Sequence, residues 1–280
     1  MNYTERAFTF SCAGETLVGV LAMPEKPRNQ RGVLIVVGGP QYRVGSHRQF
    51  LLLSRRLAEA GMPVLRYDYR GMGDSSGDIR TFEAVTEDLR AAVDVFSKEA
   101  PSVKEVAIWG LCDAASAALM YAADDKRVCA LALANPWVRT AEGYANAMVK
   151  HYYGSRFMQW DFWRKLLSGQ VNVFASLCGL LGNLRARAAK KDKATASMSL
   201  PDRMGSGLQR FSGPVMFLLS GEDLTAQEFE ETIKSSPLWQ RALERPAVEW
   251  RRLDAATHTF SSSVWRDQVA DWTIEWVTSW

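Results

Sequence analysis

Excess charge of one sign is scarce. The 34 Lys and Arg against 31 Asp and Glu leave a formal net charge of +3 over 280 residues, too little to imply duplex nucleic acid as a partner. Cysteine is scarce too. Cys12, Cys112, Cys129 and Cys178 are widely spaced, form no CxxC pair and sit mostly in apolar runs, which speaks against a disulfide framework and suits thiols in a reducing compartment. A cytoplasmic location is therefore expected. Long hydrophobic runs are missing: the longest, Val171 to Leu184, is interrupted by Asn172, Ser176 and Asn183 and falls short of the roughly 20 residues a spanning helix needs. Met1 to Phe10 carries Glu5 and Arg6 and does not read as a secretory signal. Histidine is the rarest of these, with only His47, His151 and His258. No His/Asp/Glu group has ligand spacing, so no metal is expected. Gly71 to Gly77 lacks the Lys-Ser/Thr pair of a phosphate loop, so no nucleotide cofactor is expected either.

What is present is a buried core. A hydrophobic content of 47% over this length supports one domain carrying a sizeable insertion. Runs rich in Val, Ile and Leu recur at Gly32–Val37, Pro63–Tyr69, Val103–Trp109, Val128–Asn135, Pro214–Ser220 and Ala247–Leu253, and such runs read as buried parallel strands. Between them, Ser46–Ala60 and Thr81–Glu99 carry apolar stripes at helical spacing, the first stopped by Gly61. Trp265, Val269, Trp272, Trp276 and Trp280 repeat at helical spacing near the C-terminus, as a core face does. The alternation predicts an α/β fold with a mostly parallel sheet flanked by helices, opened by antiparallel strands at Ala7–Phe10 and Thr16–Ala22. The alternation lapses over 138–210, where Tyr144, Tyr152, Tyr153, Phe157, Trp160, Phe162 and Trp163 precede a basic run through Arg185, Arg187, Lys190, Lys191 and Lys193. That stretch is expected to be a helical cap insertion ending in a basic linker, set between core segments 1–137 and 211–280.

The strand at Val103–Trp109 runs into Gly110-Leu111-Cys112-Asp113-Ala114-Ala115-Ser116 and then an Ala-rich helical segment. A strand, a sharp turn with a nucleophile at its apex and a helix make a nucleophile elbow, whose strained turn needs small flanking residues. Relative to G-x-S-x-G, Cys112 replaces the serine and Ala114 the second glycine. The apex sits at a helix N-terminus, which favours thiolate over thiol. A small buried cysteine filling a tight turn is the plainer alternative. Two later strands supply partners: Pro214–Ser220 ends in Gly221-Glu222-Asp223, and Ala247–Leu253 is followed by Asp254-Ala255-Ala256-Thr257-His258. Nucleophile, acid, histidine is the chain order of α/β-hydrolases, and each candidate follows a different core strand, so all converge on one sheet edge. Cys112 as nucleophile, His258 as base and Asp223 as orienting acid form the expected triad. Glu222 is the neighbouring alternative acid, and Asp223 would equally serve as a helix N-cap.

Val36-Val37-Gly38-Gly39-Pro40-Gln41-Tyr42-Arg43 follows the first long buried strand, where an oxyanion loop contributes a backbone N–H. Pro40 has none, so Gln41 is the expected donor, joined by the N–H of Asp113. Tyr42 and Arg43 are candidate substrate contacts. The glycine-rich Asp68–Gly77 loop is expected to buttress the elbow rather than react.

The segments Val37–Arg43, Ser46-His47-Arg48, Asp68–Gly77, Gly110–Ser116 and Asn135-Pro136-Trp137-Val138-Arg139 together resemble the α/β-hydrolases associated with exosortase A systems in exopolysaccharide-producing Gram-negative bacteria, over nearly the whole chain. The resemblance implies an α/β-hydrolase fold and a link to surface polysaccharide or protein sorting, without naming a substrate. A looser likeness is to dienelactone hydrolases, which use Cys, His and Asp and imply ester or lactone chemistry but lack a long cap.

The expected reaction is attack of Cys112 on an ester, thioester or lactone, passing through a thioester acyl-enzyme. Acyl transfer to a sugar or lipid alcohol is the first rival, because an aromatic cap excludes water. A non-catalytic scaffold of a polysaccharide assembly system is the second. The cap aromatics Tyr152, Trp160 and Trp163 are candidate contacts for an apolar acyl chain, whether of a small molecule or of a lipid-linked substrate. The basic run could draw the protein weakly to the anionic surface of the inner membrane.

Overall fold

The computed structural model describes residues 2–39, 41–139, 198–245 and 247–280. Met1–Val138 together with Pro201–Trp280 form one compact unit, and Arg139–Leu200 another. In the first unit eight strands make one sheet: β1 (Tyr3–Cys12), β2 (Glu15–Pro24), β3 (Arg31–Val36), β4 (Val64–Asp68), β5 (Glu105–Leu111), β6 (Val128–Ala134), β7 (Val215–Glu222) and β8 (Val248–Thr257). Their spatial order is β1-β2-β4-β3-β5-β6-β7-β8. β1 and β2 pair antiparallel, as do β2 and β4, and every other pair is parallel. This is the α/β-hydrolase fold in its mostly parallel form.

β3, β5 and β6 are rich in buried Val, Ile, Leu and Ala, and β4 is buried throughout, as suits strands covered on both faces. The covering helices are α1 (Gln49–Glu59), α2 (Thr86–Glu99), α3 (Asp113–Tyr121), α4 (Leu200–Arg210), α5 (Leu224–Ser235), α6 (Pro237–Leu243) and α7 (Ser263–Thr278). α1 and α7 close one face with Phe50, Leu53, Leu57, Val269, Ala270, Trp276 and Val277, against which Trp265, Trp272 and Trp280 pack partly buried. The expected aromatic stripe is thus a core face. Among the described residues no helix is long and apolar enough to cross a membrane.

Several boundaries differ from the sequence expectation for local reasons. α1 begins at Gln49 rather than at Ser46, because His47 and Arg48 adopt left-handed φ of 53° and 60°. α2 begins at Thr86, after a short 3₁₀ turn at Phe82–Ala84. β1 and β2 extend well beyond Ala7–Phe10 and Thr16–Ala22, in register from Tyr3↔Pro24 to Cys12↔Glu15. β8 continues four residues past the expected Leu253, carried by an irregularity opposite Ser220 and Glu222 that ends at Glu222↔Thr257. The basic run expected to end the cap lies outside the described residues, and after it comes α4. Its Met204, Gly205, Gly207 and Leu208 are buried, and a Cβ on Gly207 would stand 2.0 Å from the Leu119 carbonyl of α3. The Asp68–Gly77 loop has firm anchors of its own. Ser75 Oγ accepts from Val18 N–H, Ser76 N–H donates to Thr16, and Arg70 is buried against Asp88, so the loop is tied to β2 and α2.

Between α3 and β6 the Asp125 carboxylate accepts from Arg127 and from the Tyr121 hydroxyl. Burial pushes its carboxyl up, but the Arg127 guanidinium and the Tyr121 hydroxyl outweigh that and bring it down to about 2. A depressed folded pKa contributes stability that is full above the unfolded value of about 4 and fades as pH falls toward 2. Asp125→Asn is accordingly expected to cost roughly 1–2 kcal/mol near neutrality, a deficit that shrinks below about pH 4. Chemical denaturation of both proteins across that range measures it; a deficit independent of pH would contradict the assignment.

Candidate active site

β5 ends at Leu111 and α3 begins at Asp113, leaving Cys112 alone at the turn with φ 62° and ψ −125°. That region is costly for a residue with a side chain, on the order of 1–3 kcal/mol, and it persists because the surroundings fix it. Cys112 N–H donates to Ala134 O of β6, while its own carbonyl accepts from the N–H groups of Ala115 and Trp137. Ser116 Oγ donates to Trp137 O at 2.6 Å, tying the segment after β6 to α3. Small residues permit the turn: a Cβ on Gly110 would lie 2.9 Å from Ala114.

Asp223 follows β7 and His258 follows β8. Their side chains meet, His258 Nδ1 to Asp223 Oδ2 at 2.8 Å. The two readings of Asp223 hold together, since its carboxylate also accepts from the N–H groups of Thr225 and Ala226 and caps α5. The cap holds the carboxylate still while it faces the imidazole, and Asp223 is only 7% exposed. Glu222, the alternative acid, is an exposed strand residue paired in register with Thr257. Cys112, Asp223 and His258 thus all stand at the carboxyl ends of parallel strands.

A residue to which the sequence reading assigned no role ties this edge together. Asn135 ends β6 with φ 43° and is fully buried. Its Nδ2 donates to Ser220 Oγ and to the His258 carbonyl, each at 2.9 Å, and its Oδ1 accepts from Ser220 N–H at 2.8 Å. Ser220 Oγ in turn donates to Thr257 O. One amide side chain therefore bridges β6, β7 and the residue carrying the imidazole. The available signal was an Asn, a residue that tolerates left-handed φ, closing a run of buried aliphatics. Asn135→Ala strands buried polar groups, which costs about 1–3 kcal/mol each. We expect a protein less stable by about 2–3 kcal/mol and a kcat lower by roughly tenfold or more, since small misplacements of catalytic groups are costly. Denaturation and steady-state kinetics with a chromogenic ester test both, and an unchanged kcat would remove the positioning role.

The oxyanion loop is fastened to the elbow through Asp113. Gly39 N–H donates to Asp113 Oδ1 at 2.7 Å. Backbone N–H groups near that carboxylate, those of Gly39, Ala114 and Asp113, pull its pKa down. Burial pushes the Asp113 carboxyl up, against the pull of these N–H groups and of nearby His258. Gln41 Oε1 accepts from Ser46 N–H and braces the loop. Tyr42 is half exposed. Arg43, expected to meet substrate, is committed otherwise: its guanidinium pairs with buried Asp68 and with Asp74, and its N–H donates to Asp68 at 2.6 Å. Tyr152, Trp160, Trp163 and the basic run from Arg185 to Lys193 lie outside the described residues. Among those described, no group of His, Cys, Asp and Glu could hold a metal ion.

Residues 28–227 match the family described as serine aminopeptidase, S33. A polyketide transferase of a Penicillium species is 34% identical over 117 residues, 40% of this chain and 39% of its own length. The human protein ABHD12B is 34% identical over 103 residues, 36% of this chain and 27% of its own. The chain thus spans well under half of either curated relative. An esterase of Pyrococcus furiosus superposes with a TM-score of 0.67 at 16% identity, covering 99% of this chain and 93% of that one. The dienelactone hydrolase of Anabaena variabilis does so with a TM-score of 0.63 at 17% identity, covering 100% and 99%. At such identities these two likenesses speak for the fold, whereas the family match extends over most of the chain. With Cys112 at its elbow where the family's description speaks of serine, this chain belongs to the S33 family and has the α/β-hydrolase fold.

Proposed function

We propose that the enzyme cleaves a carboxylic ester, thioester or lactone by nucleophilic catalysis at Cys112. The observation that carries this reading is the His258–Asp223 pair, at 2.8 Å, on the same sheet edge as a cysteine held in a strained strand-to-helix turn. Asp223 accepts the Nδ1–H of His258, which leaves Nε2 as the base. The Cys112 proton passes to Nε2, sulfur attacks the carbonyl carbon, and the leaving oxygen or thiol departs with that proton. The resulting thioester is then attacked by an acceptor whose proton His258 takes, and the cysteine is regenerated as the tetrahedral adduct collapses.

Water is the acceptor in the hydrolytic reading. Transfer to a sugar or lipid alcohol is favoured by one observation, that a curated relative is named a transferase. A lipid-linked or polysaccharide-associated acyl substrate, contacted by Tyr42 and by Tyr152, Trp160 and Trp163, and weak attraction of the basic run to an anionic inner-membrane surface belong to the same proposal and rest on the family resemblance.

The test is to mix the enzyme with acyl thioesters of graded chain length, quench, and map peptides by mass spectrometry. The acyl mass is expected on the peptide containing Cys112. Acylation of another residue, or turnover without any Cys112 adduct that survives in Cys112→Ala, would refute the mechanism. Adding glycerol or a sugar alcohol then separates hydrolysis from transfer by the product formed.

A further inference from the structure

The glycine loop is fastened to the elbow by an anion of the chain's own, the Asp113 carboxylate. Asp113 Oδ1 accepts from the Gly39 N–H at 2.7 Å. The loop is shaped around it: a Cβ on Gly38 would come within 2.4 Å of Asp113 Oδ1. The Gly39 donor is uncharged, and the loop's own cation, Arg43, is consumed by Asp68 and Asp74. The titratable groups that sense this carboxylate are His258 and Tyr69, whose hydroxyl is pushed up by burial and then by Asp113.

An acyl group brought to Cys112 arrives beside the Asp113 carboxylate, which holds the Gly39 N–H. The carboxylate can swing aside, but it remains on the residue next to the nucleophile. We propose that Asp113 selects substrates by charge, admitting acyl groups that are neutral near the scissile carbonyl and rejecting those that carry a carboxylate or phosphate there. The inference rests on Cys112 being the attacking atom. Two like charges several ångströms apart, at an effective dielectric of about 20, repel strongly enough to change a rate roughly 10- to 100-fold. The N-terminal position on α3 gives Asp113 a stabilising interaction with the helix dipole as well, so the test must separate charge from structure.

Iodoacetamide and iodoacetate are electrophiles of nearly equal size, one neutral and one anionic. Their alkylation rates at Cys112, read by peptide mapping at neutral pH, give a ratio from which any shared change in thiol ionisation cancels. Asp113→Asn retains the Oδ1 that accepts from Gly39 and removes the charge. The wild-type preference for iodoacetamide is expected to fall about tenfold or more in Asp113→Asn. An unchanged ratio would overturn the charge selection and leave Cys112 as the nucleophile untouched; a Cys112 inert to iodoacetamide would overturn both. Should Asp113→Asn not fold, the wild-type enzyme decides alone, by its kcat/KM for a butyryl thioester against the matched succinyl thioester. Preference for butyryl supports the proposal, and equal turnover refutes it.

Discussion

Cys112→Ala is expected to lower kcat by about a thousandfold or more while leaving the fold intact, because loss of a covalent nucleophile removes the pathway itself and leaves only the residual effect of binding. The native protein offers an internal control. Cys129 in β6 is pushed up to about 12, by burial above all, and burial raises Cys12 as well. Both are therefore protonated and slow toward alkylating agents. Cys112 sits at the N-terminus of α3, where a thiolate is favoured. Iodoacetamide at about pH 6, below the ordinary thiol range of about 8.5, should label Cys112 first and abolish activity in proportion to labelling. Peptide mapping against residual activity measures this. Full activity of Cys112→Ala, with Cys112 no more reactive than Cys12 or Cys129, would remove the catalytic assignment.

Asp223→Asn should separate catalysis from stability. Asn is as good an N-cap as Asp, so the bonds from the Thr225 and Ala226 N–H groups to the side chain can persist and the melting temperature should change little. Facing His258, however, the substitution can put an amide donor where the Nδ1–H needs an acceptor. The imidazole then takes the wrong tautomer, and comparable changes in other triads reduce kcat by roughly 10²–10⁴-fold. Asp223→Ala removes the cap too and should cost about 1 kcal/mol more in stability. Calorimetry with kcat for both variants tests the pair. Normal turnover by Asp223→Asn would show that the imidazole needs no carboxylate at this position.

The sheet and the order of the candidate residues were legible because both are written in local pattern. Buried parallel strands such as β3 and β5 are largely apolar runs, and the small residues around Cys112 announce a strained turn. Less legible were features decided by tertiary contact. Nothing local distinguishes Asn135 from a polar residue closing a strand; its role depends on Ser220 and His258, which lie 85 and 123 residues away. The direction of the Asp113 side chain was hidden for the same reason: an acid at a helix start normally serves the helix, whereas here it reaches back to Gly39. Arg43 read as a free cation because Asp68 and Asp74, its partners, are far along the chain. The late start of α1 is set by the left-handed His47 and Arg48, residues without the usual glycine signal.

β6 and β7 are hydrogen-bonded directly to one another, from Leu131↔Val215 to Ala134↔Leu218, although some eighty positions separate them in the chain. Among the described residues the ladder passes straight from β6 to β7, whatever the length of the stretch that joins them. Loop-closure entropy grows only logarithmically, about 0.6 kcal/mol for each doubling of length, so this stretch can lengthen, shorten or change composition at small thermodynamic cost. The elements bearing Cys112, Asp223 and His258 cannot, because each is pinned by neighbouring strands. Drift within a lineage is thereby channelled: the reactive edge stays constant, while the chain between β6 and β7 is free to change in length and composition.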